Sequence, residues 1–198
     1  MKIKSRYIMI LAALLPLSLF LLPIWNITLE APQYPDNIGM DIWINKITDH
    51  EPNDIQNINL MNHYVGMKNI PEHMPEFDVF PIVIIAMSVL GLIVAYFRKR
   101  KLYLAWFILF AILGAVGMYD FYLWEYDYGH NLNESAAIKF LDAEGNPLAY
   151  QPPLIGNKTI LNFVAKSWPM TGAYLLFTGM FLSVAAFFLD KREEVAKS

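Results

Sequence analysis

The sequence predicts a membrane α-helical protein: a four-transmembrane-helix bundle, both termini cytoplasmic, with a small mixed α/β periplasmic cap made by two long loops. Three observations predict it. The chain is 56% hydrophobic and 17% charged, with a mean hydropathy of +0.35, more apolar than an ordinary soluble domain. That excess is concentrated in four runs, residues 7–25, 80–97, 102–121 and 168–189, each close to the roughly 20 residues that cross a hydrocarbon core of about 30 Å. Finally, ten of the 15 Lys and Arg fall in residues 2–6, 98–101 and 191–197. Basic flanks mark the cytoplasmic side, so the connections 26–79 and 122–167 lie outside, where most of the acidic residues are. The 198 residues read as a single membrane unit.

The first run follows Lys2, Lys4 and Arg6, a pattern shared with secretory signal peptides. It is long for that role, and no small-residue cleavage site follows it, so a retained anchor is expected, kinked at Pro16. Pro32 and Pro35 then impose an extended path. Ile38, Met40, Ile42 and Ile44 alternate with Gly39, Asp41, Trp43 and Asn45, the period of a half-buried strand. Asp54 is placed to cap a short helix carrying Ile55, Ile58 and Met61 or Asn62 at helical spacing, with Gly66 just past its end. Pro81 opens the second span within its first turn.

The basic stretch 98–101 makes a tight turn between the second and third spans. Gly114 and Gly117 on the third are expected to admit a close neighbour. Residues 137–150, centred on Gly145, are expected to form a hairpin, and 159–166 an amphipathic helix on the membrane surface before Trp168 opens the last span. Trp25, Phe80, Trp124 and Trp168 stand where an aromatic belt belongs.

The chain has no cysteine, so no disulfide orders the outer loops. All four histidines and the methionines Met40, Met61, Met67 and Met74 fall in those loops. Imidazole with thioether suits copper, Cu(I) in particular, better than harder cations. The candidate ligands are His63, Met67 and His130, with Met61, His73 and Met74 behind them, and Glu125 or Asp127 orienting an imidazole through a hydrogen bond. Against this, Met61 at helical spacing also fits a core position, and His73 between prolines fits a solvated loop. No phosphate-cradling loop, His-Glu-x-x-His motif or nucleophile elbow is present, which leaves no catalytic residue to name. No histidine lies in a span to hold haem, and an acidic outer face does not suit nucleic acid.

Four runs carry a family resemblance: Glu30-Ala31-Pro32-Gln33-Tyr34-Pro35, Asn62-His63-Tyr64-Val65-Gly66-Met67-Lys68, Glu125-Tyr126-Asp127-Tyr128-Gly129-His130-Asn131-Leu132 and Tyr150-Gln151-Pro152-Pro153-Leu154-Ile155-Gly156. They resemble a bacterial inner-membrane protein family associated with nitrous oxide reductase gene clusters and their copper-delivery lipoprotein. The resemblance implies a copper-related accessory role in denitrification, of metallochaperone type, with a periplasmic copper enzyme or the lipoprotein as partner besides the lipid bilayer. It favours His63, Met67 and His130, which lie inside the resembling runs. Two other functions stay open: a metal-free scaffold subunit of a membrane complex, and a quinol-linked redox protein using Asp120 and Glu125 as proton acceptors.

Overall fold

The computed structural model describes residues 5–139, 141, 145 and 148–195. Its elements in chain order are α1 (Ser5–Leu14), a 3-10 helix (Leu15–Phe20), β1 (Trp25–Glu30), β2 (Ile38–Ile42), β3 (Ile47–Asp49), α2 (Asp54–Val65), α3 (Glu76–Phe97), α4 (Arg100–His130), β4 (Gly156–Ile160), β5 (Phe163–Pro169) and α5 (Thr171–Val195). Three helices, α3, α4 and α5, are long and apolar enough to cross a membrane. At one end of them stands a five-stranded antiparallel sheet of order β3-β2-β1-β5-β4.

The first apolar run departs from the expected single helix. Pro16 has no N–H to give to the Ala12 carbonyl, and the chain tightens into the 3-10 helix. It leaves the bundle by Leu21, and Trp25 begins a strand rather than marking a helix end. Helix α1 lies against α3 and α5, packed through small residues. A Cβ on Gly91 would sit 2.7 Å from the Ala13 side chain, and one on Gly179 would sit 2.9 Å from the Ala12 carbonyl. Gly114 and Gly117, expected to serve this purpose, have nothing within 4 Å. Trp106, fully buried, donates its indole N–H to the Met87 carbonyl at 2.8 Å and ties α4 to α3.

Helix α3 begins directly after Pro75, so Pro81 lies inside it rather than in its first turn. Arg98 closes α3 in the left-handed region and Lys99 leads into α4, the tight basic turn expected. At 31 residues α4 is about 46 Å long, so some ten residues outrun a hydrocarbon core of about 30 Å. That surplus, from about Phe121 to His130, rises beyond the span and packs under the sheet. The rings of Phe121 and Trp25 meet edge to face at 5.7 Å.

In the sheet, β1 is central. It pairs with β2 from Trp25↔Ile42 to Leu29↔Ile38, and with β5 from Trp25↔Pro169 to Glu30↔Val164. Both outer loops therefore build one sheet. The amphipathic helix expected over 159–166 is instead the β4–β5 hairpin, turning through Leu161 and Asn162. Leu161 there adopts φ 56, left-handed and costly for a branched side chain. The gain is six backbone pairs between β5 and β1. Trp168 correspondingly lies in a strand, and α5 starts three residues later. The hairpin expected about residues 142–146 falls largely outside the described residues.

Helix α2 ends as expected at Gly66, φ 82. Its start differs: Asn53 is the capping position, and the Asp49 carboxylate accepts the Ile55 N–H at 2.7 Å. Asp54, buried in the first turn, accepts instead from the Gly39 and Glu51 N–H groups at 2.8 and 2.9 Å, joining the helix to the β2–β3 region.

Candidate functional site

Strand alternation gives the sheet two different faces. Asn26, Asp41, Lys166 and Trp168 share one of them, where Lys166 pairs with Glu30 at 2.6 Å and Asp41 meets His50 at 3.0 Å. Ile27, Leu29, Met40, Phe163 and Ala165 look the other way, toward α2 and the raised end of α4. Between these surfaces lies a chamber of about 280 Å³. Helix α2 supplies Ile58, Met61 and Asn62 to its wall, and the segment after Gly66 supplies Met67 and Ile70. Helix α4 supplies Trp124, Glu125 and Tyr128; Tyr150 and Pro152 complete it.

Backbone contacts hold these walls together. Asn133 donates its N–H to the Gly66 carbonyl at 2.8 Å, and Tyr150 donates to the Gly129 carbonyl at 2.9 Å. Gly129 is glycine because residues 150–152 cross α4 there: a Cβ would lie 2.4 Å from the Gln151 nitrogen. Lys68 closes the outside of the same junction on Asp127 at 2.6 Å. That hydrogen bond, and a second from Asn131, hold the Asp127 carboxyl below the usual range. Tyr128 donates its hydroxyl to the Asn69 carbonyl. Burial, with the Asp127 charge behind it, raises its pKa to about 12, so it stays a donor.

Three thioethers line the chamber: Met40, Met61 and Met67. Met40 is deep, 4% exposed. Met61 lies nearer the rim, where its sulfur accepts from the Gln33 amide at 3.8 Å. Glu125 lines the same chamber, 0% exposed, and neither of its carboxyl oxygens has a hydrogen-bond partner among the described residues. An unpaired carboxyl out of water disfavours its charged form. Burial lifts the Glu125 pKa to about 8, with the Lys158 charge pulling the other way. Lys158 is not at the wall; its ammonium donates to the Gln151 carbonyl at 3.0 Å. The Trp124 indole N–H is also buried and unpartnered among the described residues.

No family model, curated protein or solved structure matches this chain. The site therefore rests on its own geometry.

Of the residues singled out in the sequence, Met61, Met67 and Glu125 converge on the chamber. His63 and His130 do not line it. His63 is exposed beside the Tyr64 ring, and His130 stacks on Tyr126 at 3.9 Å between ring centres, its Nδ1–H donating to the Tyr126 carbonyl at 3.0 Å. His73 is exposed, 3.1 Å from Asp78, and Met74 is half-buried beside it. Among the described residues no three His, Asp or Glu side chains gather as metal ligands. Asp127, expected behind an imidazole, is occupied by Lys68. Met40 stands in the sequence among the outer-loop methionines and as an apolar strand position, but outside the expected ligand set. The signal for Glu125 was its helical register with Phe121 and Tyr128, one face of α4.

Proposed function

We propose that the protein is a multi-pass inner-membrane accessory protein that holds Cu(I) in the chamber of its periplasmic cap, for delivery to or support of a copper enzyme. One observation carries the reading: Met40, Met61 and Met67 bring three thioethers to the lining of one chamber, and soft, neutral sulfur ligands select Cu(I) over harder or higher-charged ions. The copper is cargo. The ligand set differs from the histidine-based one that the spacing suggested, keeping Met67 and Met61 and adding Met40.

Two features support the membrane placement. The α1 segment and its 3-10 continuation, 16 residues in all, extend about 27 Å, close to a hydrocarbon thickness, which supports reading them as a fourth pass. The basic turn between α3 and α4 lies at the bundle end away from the cap, as a cytoplasmic loop should. The resemblance to the family found with nitrous oxide reductase supports that enzyme as the copper recipient and a bacterial inner membrane as the location.

The test is a Cu(I) titration of the purified protein in detergent against a competing chelator. About one Cu(I) per chain is expected, with Met40→Leu, Met61→Leu and Met67→Leu each weakening it and His50→Ala leaving it unchanged. Loss on His63→Ala or His130→Ala with the methionines dispensable would return the site to the histidines. Glu125 also favours a second reading, a quinol-linked protein in which this carboxyl takes up a proton from a ligand reached through the bilayer. Thioethers add nothing to that chemistry. Binding of a quinone analogue that survives all three methionine substitutions, without copper binding, would favour it.

A further inference from the structure

We infer that Glu125 is the counter-charge of the chamber and makes it selective for a singly charged metal ion. The inference rests on the copper reading above and goes beyond it by naming what sets the charge of the cargo. Among the described residues that line the chamber, Glu125 alone carries an acid and none carries a basic group. Two lysines stand near: Lys68 is paired with Asp127, whereas Lys158, off the chamber wall, donates to the Gln151 carbonyl and keeps its charge, which reaches Glu125 without offsetting its burial. Yet both Glu125 oxygens are buried and unmatched.

A carboxyl placed there is among the costlier arrangements a fold can hold, unless something brought into the chamber compensates it. Three thioethers are neutral, so an ion held by them alone keeps its full charge in an apolar wall. As the ion enters, the Glu125 carboxyl gives up its proton to solvent, and the carboxylate so formed balances one positive charge. Cu(I) or Ag(I) in the chamber leaves a neutral assembly; Zn(II) or Cu(II) leaves a net positive charge with no second acid among the described lining residues to meet it. Glu125 thus adds a charge criterion to the softness criterion that sulfur supplies.

Full-length protein in detergent micelles is titrated with Ag(I), a redox-inert probe of the monovalent state, with Cu(I), and separately with Zn(II). The expected result is about one Ag(I) or Cu(I) per chain, with Zn(II) at least about 100-fold weaker. Glu125→Gln should lower Ag(I) affinity by about 100-fold or more, the loss typical when one member of a buried charge pair is removed, while its near-ultraviolet circular dichroism stays that of the wild type. Thioethers do not titrate, so the wild-type Ag(I) affinity itself reports the carboxyl: it should fall by up to about tenfold per unit as pH drops below the Glu125 value, a readout that needs no variant and serves even if Glu125→Gln misfolds. A wild-type Ag(I) affinity that stays flat over that range, or a folded Glu125→Gln that binds Ag(I) undiminished, overturns the counter-charge role and leaves copper in the chamber. A wild type that binds neither Ag(I) nor Cu(I) overturns the copper reading itself, and this inference with it.

Discussion

The Asp54 carboxylate, on the first turn of α2, accepts a hydrogen bond from the Gly39 N–H of β2 at 2.8 Å, and this contact sets how the helix lies on the sheet. A second bond, from the Glu51 N–H, uses the same oxygen. Removing the carboxylate strands two backbone donors, and a hydrogen bond to a charged group contributes about 1.5–3 kcal/mol. Asp54→Ala should therefore lower cap stability by about 2–3 kcal/mol, read as the thermal midpoint of tryptophan fluorescence in micelles. An unchanged midpoint would mean the contact is incidental.

Glu125 makes the metal-free protein sensitive to pH in a direction opposite to most carboxylates. Its pKa rises from 4.5 to about 8 on folding, so the folded state binds the proton more tightly than the unfolded one. The stabilisation is complete below pH 4.5, declines as pH rises, and is gone above about pH 8. Thermal midpoints should fall across that interval in the wild type. Glu125→Gln, which mimics the protonated form, should stay level across it, and a parallel fall in the variant would show that another group is responsible.

Gly129 and Gly117 lie on the same helix and should respond oppositely to a methyl group. At Gly129 the methyl meets the Gln151 backbone at 2.4 Å, which is not a flexible side-chain end and cannot move aside cheaply. Gly129→Ala should cost about 1–3 kcal/mol and loosen the Tyr150 N–H bond, visible as faster amide exchange at Tyr150. Gly117 faces open space, so Gly117→Ala should be neutral or raise the midpoint slightly through helix propensity.

The sidedness of the basic residues can be checked cleanly because the chain has no cysteine. A single cysteine at Asn53 should react with an impermeant thiol reagent on intact spheroplasts, and one at Lys99 should not. Both positions are exposed. Labelling at Lys99 would reverse the orientation and move the chamber to the cytoplasmic side.

What the sequence showed of this fold was what local pattern can show. Hydropathy over 20 residues located α3, α4 and α5, alternation located β2, and Gly66 marked the end of α2. The β4–β5 hairpin escaped because its turn is Leu161-Asn162, with no glycine or proline to signal it, and because Ile160, Phe163 and Val164 suit a helix face as well as a strand. Its outcome was decided by pairing with β1, more than 130 residues earlier in the chain, which no window senses. The same limit applies to the site. The methionines and Glu125 were visible as residue types, but only the crossing of the sheet over α4 brings them to one chamber and turns His63 and His130 outward.

The register from Trp25↔Pro169 to Glu30↔Val164 has a consequence for how the protein is made. The central strand β1 leaves the ribosome before α3 and α4, yet its partner β5 follows only after both have been synthesised. Until then β1 has β2 on one edge and an open row of donors and acceptors on the other, an invitation to mispairing. One wall of the chamber, Phe163 and Ala165, arrives with β5 itself. The chamber can therefore close only once β5 has emerged, and a nascent chain stalled after α4 would lack that wall and leave one edge of β1 unpaired.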